Sequence, residues 1–502
     1  MTRYKSNLLA NFAGAGVAAL LQLAFIPFYI RFLGIEAYGL IGFYIMLQAV
    51  LQVLDLGMGP TTNREMARYS VQPEKTAESR DFLRTLEAGY WAVGVSAGAL
   101  IAVAAPVIAT RWVNIGALPL PVARQSFTWM GALAALQLPL TLYQGGLMGL
   151  QRQVLLNGVR IAMAILGSGG AVLVLWLVSP TITAFLGWQL LVTILQTAIL
   201  GWSLWRSLPL PGHRPGLAPS LLKNIWRFAA GMSGITVSAI ILTQLDKILL
   251  SKLLPLKMFG YYTLATAVGN GLYVVITPVF NATFPRLSAM VASRDENGVR
   301  ELYHLGTQVM AVLVLPLAAM LAFFSHELMA LWTGSPETAR NTAPIVSILV
   351  AGTAMNGLMN LPYALQLAHG WTRIGLMINT SFIFAIVPAI IFLTLRYGAA
   401  GGAAACALLN AAYIAVGVPS THRRILPGEA WRWGLGDVGP PLAAALLVVA
   451  AGRHLIPSSM TNGATALTLG ALWVSCAGIA AMAAPMTRAW VISQGRLLLP
   501  GR

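Results

Sequence analysis

Apolar stretches of about twenty residues follow one another from Leu8 to Pro485, separated only by short charged or Gly/Pro-rich breaks. A hydrocarbon layer ~30 Å thick takes roughly 20 apolar helical residues to cross, so each stretch reads as a membrane span. Only 9% of the 502 side chains are charged, against ~25% in a soluble domain. That composition cannot clothe a soluble core of this size. The opening segment carries Arg3 and Lys5 before its apolar run. The run exceeds the ~7–15 residues of a signal peptide and ends in no small-x-small cleavage site, so it reads as a retained first helix.

Fourteen spans are expected, over residues 8–30, 37–60, 85–110, 125–149, 154–178, 182–205, 225–250, 257–284, 305–325, 341–368, 374–395, 399–420, 436–455 and 464–485. An even number puts both termini on one side. With these spans, about 23 Lys and Arg fall on the side of the termini and about 9 on the other. Such an excess marks the cytoplasmic side, so both termini are expected there. The same rule absorbs the formal charge of +17, so no nucleic-acid partner is invoked. The outer connections are short, which leaves no room for an external domain.

Arg31–Gly39 aligns with Lys252–Gly260 at a shift of 221 residues, and at that shift Gly149 meets Gly370 and Arg152 meets Arg373. Six helices separate the copies, so both enter the membrane in the same direction, as parallel repeats do. The expected fold is all-α: two pseudo-symmetric six-helix lobes around a central cleft, plus two extra C-terminal helices. The lobes are expected at 1–206 and 224–421. A proline-rich cytoplasmic linker spans 207–223 (Pro209, Pro211, Pro215, Pro219), and helices 13 and 14 occupy 436–487.

Motifs for enzymatic chemistry are missing: there is no phosphate-cradling Gly-rich loop with Lys and no His-Glu-x-x-His. Cys406 and Cys476 sit in apolar stretches without metal-type spacing and read as packing residues. His326-Glu327 reads as a solvated helix end. Gly94/Gly98, Gly145/Gly149 and Gly398/Gly402 read as close helix contacts. No metal and no cofactor are implied.

Charges within spans are more telling, because each costs perhaps ~3 kcal/mol at a helix centre unless it meets water or a partner. At 100° per residue, Thr236, Thr243, Gln244, Lys247 and Ser251 share one face of the seventh helix, with Asp246 flanking it and Lys252 at its outer end. Arg31 is the repeat mate of Lys252, and Asp55 lies near the inner end of the second helix. Arg31, Lys247, Lys252 and Gln244 are therefore the candidate substrate-binding residues of a cationic lumen. Asp246 and Asp55 are the candidate ion-coupling residues. Lys and Arg suit phosphate oxygens, and a cargo with a lipid tail can leave that tail in the bilayer. For Arg31 and Lys252 the competing reading is snorkelling to the interface.

Several segments together resemble the bacterial polysaccharide transporter family. They are Asn7-Leu-Leu-Ala-Asn11, Tyr29-Ile-Arg31-Phe-Leu-Gly34-Ile-Glu36-Ala-Tyr38-Gly39, Leu54-Asp55-Leu-Gly57 and Asn63-Arg64-Glu65. The second half adds Asp246-Lys247-Ile-Leu-Leu-Ser-Lys252, Phe259-Gly260-Tyr261-Tyr262 and Phe284-Pro285-Arg286. That family includes O-antigen and exopolysaccharide repeat-unit flippases of the multidrug/oligosaccharidyl-lipid/polysaccharide exporter superfamily. The resemblance implies a V of two six-helix bundles that moves undecaprenyl-diphosphate-linked oligosaccharide between leaflets by alternating access. It also implies a proton or sodium gradient as the driving force, and a polymerase or other glycan-assembly protein as partner. The alternatives are a lipid II flippase, a multidrug antiporter of the same superfamily, and a membrane glycan polymerase or ligase. A basic lumen disfavours cationic drugs, and short outer loops disfavour the enzyme.

Overall fold

The computed structural model describes residues 2–209, 215–220, 226–454 and 461–489; the side chains of 2–20, 22, 73, 226–236, 238, 239 and 372–376 are outside the description. Parts of the linker 207–223 and the side chain of Thr236 therefore lie outside the described residues. Among those described, the chain is helical, with one isolated β-bridge between Asn114 and Pro255. The helices are α1 (Thr2–Leu51), α2 (Met58–Tyr69), α3 (Thr76–Val107), α4 (Leu120–Gly149), α5 (Gln153–Leu177), α6 (Ile182–Ser207), α7 (Trp226–Leu253) and α8 (Leu256–Asn270). They continue with α9 (Tyr273–Ala292), α10 (Glu296–Phe323), α11 (Ser325–Thr333), α12 (Pro336–Ala368), α13 (Thr372–Arg424), α14 (Gly439–Arg453) and α15 (Asn462–Ala483). Among the described residues, ten helical stretches are long and apolar enough to cross a bilayer.

Two of these helices are too long for one crossing. At 1.5 Å per residue, the 50 residues of α1 and the 53 of α13 run to about 75–80 Å, more than twice the hydrocarbon thickness. Each is broken by one glycine in a conformation L side chains avoid: Gly34 (φ 78°, ψ 163°) and Gly398 (φ 61°, ψ −143°). Each therefore supplies two passes, at the boundaries the hydropathy places between 8–30 and 37–60 and between 374–395 and 399–420. Gly398 consequently serves as a break, not as the expected helix contact; an added Cβ there would meet nothing within 4 Å. Gly94 and Gly98 do act as contacts: a Cβ on Gly94 would sit 2.6 Å from the Ala135 carbonyl oxygen, and one on Gly98 would fall on that of Gly131.

The expected second and eighth spans are interrupted. The first breaks where Gln52–Asp55 tightens to a 3₁₀ turn and Leu56 and Gly57 are left-handed, so α2 starts afresh at Met58. The second breaks at Gly271-Leu272, between α8 and α9. Leu272 is the repeat mate of Leu51, the last residue of α1, so both copies break at the same place.

Two compact units emerge, residues 1–260 and 261–502. In the first, α3 packs on α4, α4 on α6 and α1 on α5, while α7 lies against α1 and α2. Its core holds Phe82, Leu83, Leu142, Leu147, Leu200 and Leu204. In the second, α12 packs on α13, α10 on α12, and the C-terminal pair α14 and α15 seats on α10. Met320, Phe324, Val449 and Cys476 meet at that seat.

The repeat is visible as a reciprocal contact inside the first unit. A Cβ on Gly39 would sit 2.6 Å from the carbonyl oxygen of Leu256, and one on Gly260 would fall on the carbonyl oxygen of Ile35. At the 221-residue shift Gly39 is the mate of Gly260 and Ile35 the mate of Leu256, so the two copies touch through the same atoms. Further along, the register slips. The turn after α4 closes through Arg152 N to Leu147 O (2.9 Å), and the turn after α12 through Trp371 N to Gln366 O (2.8 Å). Those turns correspond at a shift of 219. The left-handed residue of the first is Gln151 (φ 58°) and of the second Gly370 (φ 70°), so Gly149 is not the structural mate of Gly370.

Candidate functional site

The polar stripe of α7 is only partly open. Lys247 and Asp246 side chains retain 19% and 13% exposure, and their charged atoms lie 3.3 Å apart. Lys247 Nζ also donates to the Thr243 carbonyl at 2.8 Å. The lysine charge is thus offset by its neighbour in sequence, and its second partner is a backbone oxygen of its own helix. Gln244 is half-buried and Thr243 exposed. Ser251 is buried and accepts a hydrogen bond from Trp112 Nε1 at 3.1 Å, so it ties α7 to the π-helical end of α3 (Ile108–Trp112). Lys252 is exposed, and its ammonium donates to the Arg111 carbonyl. Asn114 Nδ2 in turn donates to the Lys252 carbonyl at 2.9 Å.

Arg31 is exposed on α1, three residues before the break at Gly34. Two residues beyond that break, Glu36 accepts the backbone N–H groups of Gly116 (2.6 Å) and Ala117 (2.9 Å), which fixes the loop leading into α4. Asp55 is buried. Its Oδ2 accepts Gly59 N–H at 3.0 Å and its Oδ1 accepts the Tyr90 hydroxyl at 2.6 Å. One oxygen caps the start of α2, where orphan N–H groups favour a carboxylate; the other binds α3. Asp246 and Lys247 are therefore brought together, while Asp55 is held in a separate, fully engaged arrangement.

Two buried networks fall outside the sequence expectations. In the first unit, Glu87 Oε1 accepts from the Tyr143 hydroxyl (2.6 Å) and Trp205 Nε1 (3.1 Å), and Oε2 accepts from Arg84 (3.1 Å). The carboxylate is satisfied from α4, α6 and its own helix, which is what a buried charge requires. In the second unit, His304 of α10 is fully buried with Nδ1 on Asp437 Oδ2, inside the π-helical segment Arg432–Val438. Its Nε2 lies 3.2 Å from Glu429 Oε2, close enough for charge attraction but off the hydrogen-bond line. Gln308 Nε2 donates to Asp437 Oδ1 at 2.8 Å, and Gln308 Oε1 accepts Met486 N–H at 2.8 Å. Arg300 binds Glu429 at 3.0 Å, and the Tyr303 hydroxyl meets His422 Nε2 at 3.2 Å. This network fastens the C-terminal pair to α10. Its sequence signal was an acid, Asp437, at the mouth of an apolar span. At the helix end His326-Glu327, Glu327 is largely buried and pairs with Arg453 of α14.

A duplicated helical body, broken at matching points and with charges inside its spans, defines a polytopic integral membrane protein. The chain belongs to the family described as "Polysaccharide biosynthesis protein", whose model matches residues 29–336, well over half its length. It is also similar to a Shigella flexneri protein named "Putative O-antigen transporter", with 20% identity over 181 residues. That match takes in 36% of this chain and 42% of the Shigella protein, less than half the length of that curated relative. Among solved structures, "Lipid II flippase MurJ, inward closed conformation" matches with a TM-score of 0.74 at 14% identity, over 97% of this chain and 99% of that one. An inward-facing multidrug resistance MATE family transporter of the MOP superfamily gives a TM-score of 0.65 at 16% identity, over 81% of this chain and 94% of its own. At such identities the likeness is one of fold.

Proposed function

We propose that the protein is a flippase. It moves a polyprenyl-diphosphate-linked oligosaccharide from the inner to the outer leaflet of the bacterial inner membrane by alternating access, with both termini in the cytoplasm. The observation that carries the reading is membership of a polysaccharide-biosynthesis family, in a chain of long apolar helices of which α7 carries the half-buried Lys247. Among the described residues, Lys247 holds one carboxylate and one carbonyl oxygen. Both can be exchanged for diphosphate oxygens and recovered on release, as a carrier needs. Arg31, Lys252 and Gln244 are the further headgroup contacts, and Asp246 is the group through which a proton or sodium gradient acts. The chain transports without changing its substrate covalently, and it hands its product to a polymerase or related assembly protein.

The membrane potential works in the same direction. Each charge crossing 100 mV is worth about 2.3 kcal/mol. Carrying a doubly charged diphosphate out of a negative interior is therefore favoured by about 4–5 kcal/mol per 100 mV. The protein's task is to lower the barrier set by desolvating the headgroup.

A second reading, lipid II as cargo, is favoured by the full-length likeness in fold to the lipid II flippase. The two cargoes are separated by deletion: loss of a lipid II flippase is lethal, whereas loss of a glycan flippase leaves viable cells with repeat units trapped on the cytoplasmic face. Transport itself is tested in proteoliposomes with leaflet-specific detection of a lipid-linked oligosaccharide. Wild type is expected to move the substrate with no change in its mass, and Lys247→Ala and Arg31→Ala to slow it at least tenfold at equal protein content. Wild-type rates in both variants refute the cationic path, and a change in substrate mass refutes transport as the activity.

A further inference from the structure

The second unit carries an aromatic and amide face that the charges do not account for. On α9, 100° steps place Tyr273, Thr277, Phe280, Asn281 and Phe284 within one arc of about 100°. Phe280 and Phe284 stack, with centroids 5.7 Å apart and planes 11° apart. Phe280 also lies nearly parallel to Tyr363 of α12, at 6.5 Å and 19°. Three nearly parallel rings thus form one stacked step, at whose end Tyr363 keeps 43% of its surface exposed.

Amides stand beside the rings. The Tyr273 hydroxyl donates to Asn356 Oδ1 at 2.9 Å, and Asn356 Nδ2 donates to Asn410 Oδ1 of α13 at 3.0 Å. Thr277 and Asn281 are exposed on the same arc, within a stretch otherwise apolar enough to span the bilayer. An exposed amide is costly against hydrocarbon and is tolerated where water reaches it. The neighbouring arc of the same helix bears Val274, Pro278, Ala282 and Ala289, which is the surface lipid prefers.

A pyranose ring has an apolar C–H face and a rim of hydroxyls. An exposed aromatic ring receives the face, and flanking amides, each both donor and acceptor, receive the rim. A polyprenyl tail has no use for the amides, and a bare diphosphate has no use for the rings.

We propose that the Phe280/Phe284/Tyr363 step, flanked by Asn281 and Asn356, is a saccharide-binding site for a sugar ring of the cargo. The inference rests on the flippase reading and adds where the glycan is held. Selectivity for glycosylated over bare lipid carrier then comes from this face.

The test uses full-length protein in nanodiscs and two probes: farnesyl diphosphate bearing an N-acetylglucosamine disaccharide, and farnesyl diphosphate alone. Wild type should bind the glycosylated probe about tenfold more tightly, equivalent to ~1.4 kcal/mol. Phe280→Leu and Tyr363→Leu keep apolar bulk but remove a ring. Each should erase most of that preference while leaving affinity for the bare probe unchanged, which also reports on folding. Phe280→Tyr should retain the preference. Equal losses for both probes, or an undiminished preference in the Leu variants, overturn the saccharide site and leave the flippase reading standing. Failure of wild type to bind either probe overturns both.

Discussion

Removing one member of the buried His304–Asp437 pair should cost far more than removing both. The two side chains are 0% and 1% exposed, and both Asp437 oxygens are occupied, by His304 and by Gln308 Nε2 at 2.8 Å. Asp437→Leu strands two buried donors. At about 1–3 kcal/mol for each unsatisfied group, the loss falls in the ~3–5 kcal/mol range typical of a broken buried pair. The double variant His304→Phe/Asp437→Leu removes the stranded imidazole and leaves only Gln308 wanting a partner. It should recover at least half the loss, giving a coupling of about 2 kcal/mol between the sites. The measurement is a double-mutant cycle from reversible unfolding in mixed micelles, with hydrogen exchange over α14 as the local readout. Exchange should rise in α14 and α15 before it rises in α12. A single-variant cost below about 1 kcal/mol, or costs that add in the double variant, would refute the pair as the fastening of the C-terminal helices.

Gly39→Ala and Gly260→Ala should each destabilise by about 1–3 kcal/mol, because their Cβ atoms run into the backbone carbonyls of Leu256 and Ile35. Gly89→Ala, with nothing within 4 Å, is the neutral control in the same unfolding assay. Asp246→Asn should abolish the response of flipping to an imposed proton or sodium gradient. Asp55→Asn should keep that response but lose about 1 kcal/mol of stability, since both its oxygens are already engaged within the fold. Arg453→Ala should cost no more than about 1 kcal/mol despite its contact with Glu327, because the arginine is half-exposed and screened; a larger loss would show that the pair is shielded from solvent.

Hydropathy fixes the passes because crossing length and apolar composition are local properties. Even the break at Gly398 is legible, since 374–395 and 399–420 are each long enough to cross alone. What hydropathy overran is the end of the second span: apolar residues continue to Pro60, but the left-handed pair Leu56-Gly57 and the Asp55 cap stop the helix earlier. The Asp246–Lys247 contact is readable because the partners are adjacent. The His304–Asp437 bond joins residues 133 apart, and no periodicity pairs them. The aromatic step is illegible in the sequence for another reason. Phe280, Phe284 and Tyr363 look like ordinary membrane residues until their planes are seen to align across two helices. The slip of the repeat from 221 to 219 residues leaves no mark in composition.

The mutual contact of Ile35–Gly39 with Leu256–Gly260 has the form of an isologous dimer interface retained after its two subunits became one chain. Residue 39 meets residue 256 where residue 260 meets residue 35, so a change on one side alters a surface that its own duplicate also presents. Substitutions here should spread through descendants as matched pairs, 35 with 260 and 39 with 256, long after the rest of the two halves have drifted apart.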